Sequence, residues 1–327
     1  FGSEHQFETS LYYTGDIEEG ILKGDLLIVA GGDPCLGAND FLLHYGEFIA
    51  QWARKVHSLG IKQIRGDIKL DLSYFEGESL AGSTSIEDSG NYYAAGAHSL
   101  SVFDNQCEIT LRSSNVAGGP VEVVRVIPPN PDMKIVCELT ASNIDEDRAY
   151  IYGIPGSNER VIKGTIPKGK KNYKIKGDIP NPAELLKRQL IEAIRGKRIN
   201  FVQMKNRGED GQTMEYDSFK RTKVTSVSSP PLHEIVSKCL YKSVNTYADC
   251  LLKHLGKKHK NEGSYQAGIE TLQSHWKSKG LTIDGWFQED GSGLSRANGI
   301  SSQHIAKILS LTSMKDEVTR GFKQLGD

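Results

Sequence analysis

The stretch Leu232-His233-Glu234-Ile235-Val236-Ser237-Lys238-Cys239-Leu240-Tyr241-Lys242-Ser243-Val244-Asn245-Thr246-Tyr247-Ala248 decides how this chain is read. Leu232, Ile235, Val236, Cys239 and Leu240 recur at the spacing of one helical face. A second face follows with Tyr247, Ala248, Leu251, Leu252 and Leu255, closed by Gly256. Between them the polar tetrapeptide Lys242-Ser243-Val244-Asn245 breaks the pattern. It places an ammonium, a hydroxyl and a carboxamide at one helix–helix junction. That set suits proton relay by Ser243, recognition of a substrate amide by Asn245 and a positive field from Lys242. A serine there also fits the N-cap of the second helix.

Downstream, Lys257, Lys258, His259 and Lys260 sit just past the second helix, where cations suit the helix dipole. A third helix carries Ile269, Leu272 and Trp276 and ends at Lys277-Ser278-Lys279-Gly280. A short strand around Trp286-Phe287-Gln288 leads into the turn Asp290-Gly291-Ser292-Gly293-Leu294-Ser295-Arg296-Ala297-Asn298. Gly-rich turns with Asp and Arg can aim backbone amides and a guanidinium at a carboxylate. Ser301 or Ser302 caps a last amphipathic helix with Ile305, Ile308 and Leu309.

Upstream of about residue 225 the chain reads mostly as short strands. Ile21 to Ala30 is one, ending at the turn cluster Gly31-Gly32-Asp33-Pro34. Ile68, Leu70 and Leu72 alternate with Lys69 and Asp71, the period of a half-buried strand. Further apolar stretches lie at 100–103, 109–111, 121–127, 135–139, 150–154 and 161–166. Two helices interrupt them. One is capped by Asp40 and runs to Gly60 with Phe41, Tyr45, Phe48, Ile49, Trp52, Ala53 and Val56 inward. The other follows Asn181-Pro182 and runs to Gly196.

Composition sets bounds. The chain has 327 residues, with 40 Lys+Arg against 41 Asp+Glu, a net charge of −1. Such balance speaks against a nucleic-acid binder held by phosphate contacts and against a polybasic membrane-surface protein. No apolar run approaches the ~18 residues of a spanning helix. The chain opens at Phe1 without a signal peptide, which reads as a processed or trimmed product. Five cysteines show no CxxC spacing. Buried free thiols are the default, with one Cys107–Cys137 bridge as the alternative. The nine histidines show no HxxxH or HExxH spacing, so no metal site is expected.

Lys-Ser-x-Asn between helices, followed about 50 residues later by Asp-Gly-Ser-Gly-Leu-Ser-Arg-x-Asn, resembles the class C, low-molecular-mass penicillin-binding D-alanyl-D-alanine carboxypeptidases (peptidase family S13). The stretch from Gly24-Asp25-Leu26 to Gly31-Gly32-Asp33-Pro34 is similar to that family. So are Ile64-Arg65-Gly66-Asp67-Ile68 and the block Glu87-Asp88, Tyr92-Tyr93, Ala97, Leu100-Ser101-Val102 and Asn105.

The resemblance implies an α+β fold. Residues 1–24 and 225–327 would form a partial β-lactamase/transpeptidase-like domain, and 25–224 a β-rich inserted region. It implies a serine acyl-transfer enzyme that cleaves the terminal D-Ala of peptidoglycan stem peptides, or the D-Ala–diaminopimelate cross-link. β-Lactams acylate such enzymes; no cofactor is involved, and the compartment would be the periplasm or cell surface. The family works with Ser-x-x-Lys, Ser-x-Asn and Lys-Thr-Gly. Ser243 and Asn245 match the second motif. Asp88 and Arg296 match positions that face the diamino-acid residue, with Lys242 beside the substrate. Where the family has a tryptophan before that aspartate, this chain has Ser83-Thr84-Ser85-Ile86.

No Lys-Thr-Gly triplet occurs in these 327 residues. The Ser-x-x-Lys pattern Ser274-His275-Trp276-Lys277 lies out of the family order and is not expected to hold the nucleophile. The chain is therefore expected to be inactive alone, with apolar surface exposed near Ser243 that favours a homo-oligomer. The rival expectation is a non-catalytic protein that binds peptidoglycan peptides.

Overall fold

The computed structural model describes residues 1–202 and 220–312. They divide into two compact units, each assembled from separated pieces of chain. The first takes Phe1–Tyr74, Ser99–Val102 and the described part of Ala183–Leu232. The second takes Phe75–His98, Phe103–Pro182 and the described residues from His233 onward.

In the first unit, β1 (Glu8–Thr14), β2 (Asp16–Glu18), β3 (Ile21–Lys23) and β4 (Leu26–Val29) are followed by the helices α1 (Leu42–Tyr45) and α2 (Phe48–Ser58) and by β5 (Gln63–Ile64) and β6 (Ile68–Asp71). The single strand expected over Ile21–Ala30 is instead two, in two different sheets. Gly24 marks the break: a Cβ there would lie 1.9 Å from the Thr14 carbonyl oxygen. Only bare backbone fits where the chain changes sheets. The helix expected from Asp40 is broken at Gly46, whose φ is +52°. Asp40 lies inside the 3-10 turn Asn39–Phe41 and not at the N-cap of a helix, but Phe48, Trp52, Ala53 and Val56 are buried as the periodicity requires. Asp33 of the Gly-Gly-Asp-Pro turn is buried. It accepts hydrogen bonds from the Cys35 amide (3.0 Å) and the Tyr45 hydroxyl (2.8 Å).

The second unit holds β7 (Gln106–Ser113), β8 (Val121–Ile127), β9 (Lys134–Ser142), β10 (Arg148–Gly153), β11 (Glu159–Pro167) and β12 (Tyr173–Asp178). They form two three-stranded sheets, ordered β12-β7-β8 and β10-β11-β9. The buried Arg160 on β11 reaches Asp178 at the end of β12 with two hydrogen bonds of 2.5 and 2.7 Å. Removing one partner of such a buried pair costs about 3–5 kcal/mol. No strand forms at Leu100–Phe103. Phe103, Asp104 and Asn105 all have φ between +53° and +58°, and the chain turns there before β7. None of the five cysteines is in a disulfide, Cys107 and Cys137 included.

The chain then supplies the first unit with α3 (Pro182–Arg195), β13 (Asn200–Phe201) and β14 (Arg221–Ser228). The order β14-β1-β4-β6 makes one sheet and β13-β5-β3-β2 the other. β1 pairs antiparallel with β14, and beyond the sheet the Leu232 amide still donates to His5 (2.8 Å).

The helices α4 (Leu232–Lys242), α5 (Asn245–Lys260), α6 (Tyr265–Ser278) and α7 (Ser302–Leu311) follow. Ser301 caps α7 through the His304 amide. Around Trp286–Gln288 there is one isolated bridge, Phe287 to Gly299, in place of the expected strand. Gly256 does not end α5. It is buried inside the helix because α6 crosses close by: a Cβ on Gly256 would meet the Cβ of Ala267 at 2.8 Å, and one on Gly268 the Leu252 carbonyl oxygen at 2.2 Å. Lys257 to Lys260 accordingly lie within the last turn of α5, not past it.

Gly268→Ala should destabilise the protein by about 1–3 kcal/mol, because backbone atoms block the added methyl. Gly82→Ala, where a Cβ meets nothing within 4 Å, should stay within about 0.5 kcal/mol of the parent. Urea unfolding of both variants measures the contrast.

Candidate functional site

The junction read first in the sequence closes α4 with a left-handed residue. The Val244 amide donates back to Cys239 (3.1 Å), and Ser243 takes φ +55°. This is the hydrogen bond of a Schellman ending, at the position where glycine is usual. A serine there costs on the order of 1 kcal/mol of backbone strain. Ser243 is not the N-cap of α5. Val244 occupies that place and makes no side-chain capping bond, so the exposed Ser243 hydroxyl is not spent on capping. Lys242 is the last residue of α4, at the negative end of the helix dipole. Of the apolar face predicted for α4, only Ile235 is fully buried, and Val236 is 36% exposed.

The first turn of α5 is tied down by three consecutive side chains. Asn245 Nδ2 donates to the Tyr93 carbonyl (2.8 Å), Thr246 Oγ1 to the Ala95 carbonyl (2.9 Å) and the Tyr247 hydroxyl to Asp104 Oδ1 (2.6 Å). The Tyr93 hydroxyl in turn donates to Asp88 Oδ1 (3.1 Å). Burial, then the adjacent Asp88 charge, push the Tyr93 phenol up to about 12, so it stays a donor. Asn245, Tyr93 and Asp88 thus form one connected line.

Arg296 does not pair with Asp88. Its Nη2 lies 3.9 Å from Glu87 Oε2, both side chains largely exposed. Ser83 and Ser295 share a hydrogen bond of 2.6 Å, which fastens the Asp-Gly-Ser-Gly turn to the segment in front of Asp88. Ser274 and Lys277 are both exposed, near the end of α6.

The turn itself is held by two buried carboxylates. Asp290 accepts from the amides of Gly293 (2.7 Å) and Ser295 (2.6 Å) and from Asn298 Nδ2 (2.8 Å). Asp249, on α5, accepts from the amides of Gly291 (2.8 Å) and Ser292 (2.9 Å). Burial, reinforced by the charge of Asp290, pushes the Asp249 carboxyl up to about 7 against the pull of these amides. Sequence reasoning missed Asp249. Its one signal was a carboxylate among Tyr247, Ala248, Leu251 and Leu252. It also missed Lys253, buried one turn on, whose Nζ donates to the Glu78 carbonyl (2.8 Å) and lies over the Tyr265 ring.

The candidate site thus consists of a left-handed, exposed serine, a carboxamide held two residues further on, a carboxylate–phenol pair and an exposed guanidinium. The chain belongs to the D-Ala-D-Ala carboxypeptidase 3 (S13) family, whose model matches residues 1–325. It is 24% identical over 323 residues to the D-alanyl-D-alanine carboxypeptidase DacB of Haemophilus influenzae, covering 96% of this chain and 63% of that protein. It is also 24% identical over 315 residues to the D-alanyl-D-alanine carboxypeptidase of Actinomadura sp., covering 94% of this chain and 55% of that one. It thus spans less than two thirds of these relatives. The crystal structure of penicillin binding protein 4 (dacB) from H. influenzae superposes with a TM-score of 0.77 at 20% identity, over 97% of this chain and 67% of that one. A complex of that protein with a β-lactam gives 0.72 at 19% identity, over 100% of this chain and 68% of that one. The mixed α and β architecture is therefore the transpeptidase-like one the motifs imply.

Asp249 makes stability depend on pH. Its folded pKa lies above its ordinary 3.8, so the folded protein binds the extra proton. This contribution is full below about pH 4 and is lost as pH rises to about 7. Asp249→Asn, which mimics the protonated form, should match the parent near pH 4. It should gain on it by at most about 4 kcal/mol toward pH 8, at about 1.4 kcal/mol per pH unit. Thermal melts across that range read it; a difference that ignores pH would refute it.

Proposed function

We propose that the protein containing this chain is a serine D-Ala-D-Ala carboxypeptidase or endopeptidase of peptidoglycan stem peptides, acylated by β-lactams, in the periplasm or at the cell surface. Family membership supports the chemistry, and the line Asn245–Tyr93–Asp88 carries the assignment of residues. Asn245 orients the substrate amide, and its bond to Tyr93 keeps the carboxamide from rotating. Ser243 relays a proton to the leaving amine after a nucleophilic serine attacks the carbonyl and a lysine takes its proton. Lys242 adds positive field. Asp88 and Arg296 hold the ammonium and carboxylate of the diamino acid, charge against opposite charge.

On the family resemblance, residues 1–24 and 225–327 would contribute to the transpeptidase-like domain and 25–224 to the inserted region. Without a Lys-Thr-Gly triplet, and with Ser274-His275-Trp276-Lys277 remote in sequence order from the family's first motif, the 327 residues alone bind substrate but do not turn it over.

Fluorescent penicillin tests this reading. A longer protein that carries the Ser-x-x-Lys and Lys-Thr-Gly motifs as well should be labelled covalently, and residues 1–327 alone should not. Ser243→Ala in the longer protein should slow acylation by about 10²–10⁴-fold, the usual worth of a proton-transfer group. A longer protein that folds and takes no label overturns the enzyme and leaves the peptide-binding reading.

A further inference from the structure

The outer face of the β10-β11-β9 sheet forms a cleft of about 640 Å³ that, apart from Glu87, is lined by residues outside the candidate site described above. The strand register defines its floor. Tyr152 on β10 lies opposite Val161 on β11, which lies beside Val136 on β9; one row along, Tyr150, Lys163 and Glu138 line up. Side chains alternate across a sheet, and the intervening Ile151 and Ile162 are buried on the opposite face. Tyr152, Val161 and Ile154 therefore make an apolar strip left open to solvent, Ile154 being 64% exposed. Two ion pairs flank it, Lys163 with Glu138 (3.1 Å) and Lys134 with Glu159 (2.7 Å).

The wall of the cleft is Ile86 and Glu87, the two residues in front of Asp88. That wall is fixed. The Gly153 amide donates to the Ser89 carbonyl (2.9 Å) and the Ile151 amide to Asn91 Oδ1 (3.0 Å). Gly90 leaves no room for a side chain against β10, its Cβ position being 2.8 Å from the Gly153 nitrogen. The same short segment thus carries Asp88 and Tyr93 toward Asn245, and Ile86 and Glu87 toward the cleft. Glu87 belongs to both, because it is also the ion-pair partner of Arg296.

We propose that this cleft is an extended subsite for the stem peptide, receiving the residues that precede the diamino acid. The inference rests on the substrate assignment made above. A strip of apolar floor between ion pairs of both signs suits an extended peptide that carries both charges, and the volume lies within the range of ligand sites. Its rim is continuous with the residues assigned to the diamino acid. It would lengthen the recognised part of the substrate without touching the scissile bond.

The test is equilibrium binding of two synthetic peptides to the 327-residue chain: the five-residue stem peptide, and its C-terminal tripeptide of diaminopimelate and two D-Ala. The stem peptide should bind about tenfold more tightly, as expected when one aromatic contact is added. Tyr152→Ser and, separately, Ile154→Ser should each erode that advantage and leave the tripeptide unchanged. Asp88→Asn should weaken both peptides. Equal affinity of the two peptides, with both weakened by Asp88→Asn, overturns the cleft and leaves the substrate assignment standing. A tenfold preference lost in Tyr152→Ser, with Asp88→Asn without effect, supports the cleft as a peptide site and overturns the assignment of Asp88. Binding of neither peptide overturns both.

Discussion

Asn245, Thr246 and Tyr247 spend their side-chain donors on a stretch of chain some 150 residues earlier, between Tyr93 and Asp104. Those three bonds fix where α5 begins, and α5 sets the positions of most of the site. The tetrapeptide in front of it can then be strained at Ser243, because the helices on either side are anchored. Four residues further on, Asp249 gathers the amides of Gly291 and Ser292, so the same helix also decides where Arg296 is presented. A buried Lys253 and the close crossing at Gly256 and Gly268 keep α5 from shifting along its axis. Rigidity here comes from polar groups satisfied by distant backbone, which a purely apolar helix would not provide.

The electrostatic pattern follows from that anchoring. Groups that must stay in place are buried and paired: Asp249, Asp290, Arg160 and Asp178. The residues proposed to meet a ligand, Ser243, Lys242, Glu87 and Arg296, are exposed. Arg296 and Glu87, at 3.9 Å and mostly in water, hold each other weakly. A ligand carboxylate that displaced Glu87 would lose little of that pairing and gain a guanidinium. The phenol of Tyr93 stays protonated, so it can steady Asp88 without competing for the cation that Asp88 would bind.

Much of this was legible in the residues. The 3.6 period gave α4, α5, α6 and α7, and alternation at Ile68 and Leu70 gave β6. The two motif blocks singled out Ser243, Asn245 and Arg296 as candidates before any coordinate. What escaped reading depended on partners remote in the chain. Gly24 looks like any strand residue until the Thr14 carbonyl is placed against it. Gly256 has the look of a helix stop, but α6 requires it for contact. Leu100 to Phe103 has strand composition, yet three successive left-handed residues turn the chain. Asp249 and Lys253 are charged residues that periodicity assigns to solvent. They are buried because amides and carbonyls 42 and 175 residues away complete them.

The antiparallel pairing of β1 with β14 matches Glu8 to Ser228, partners 220 residues apart. At ~5–20 residues per second of synthesis, roughly 10 to 40 s separate their appearance. During that interval β1 can pair with β4, which begins 12 residues after β1 ends, beyond the β2–β3 hairpin, but its other edge has no native partner. An open strand edge invites foreign pairing, and a charge placed on it discourages that. Glu8 sits at the start of that edge, and in the finished fold it is claimed by Lys223, which arrives with β14 itself. The same carboxylate is suited to guard the edge first and to fasten its late partner afterwards.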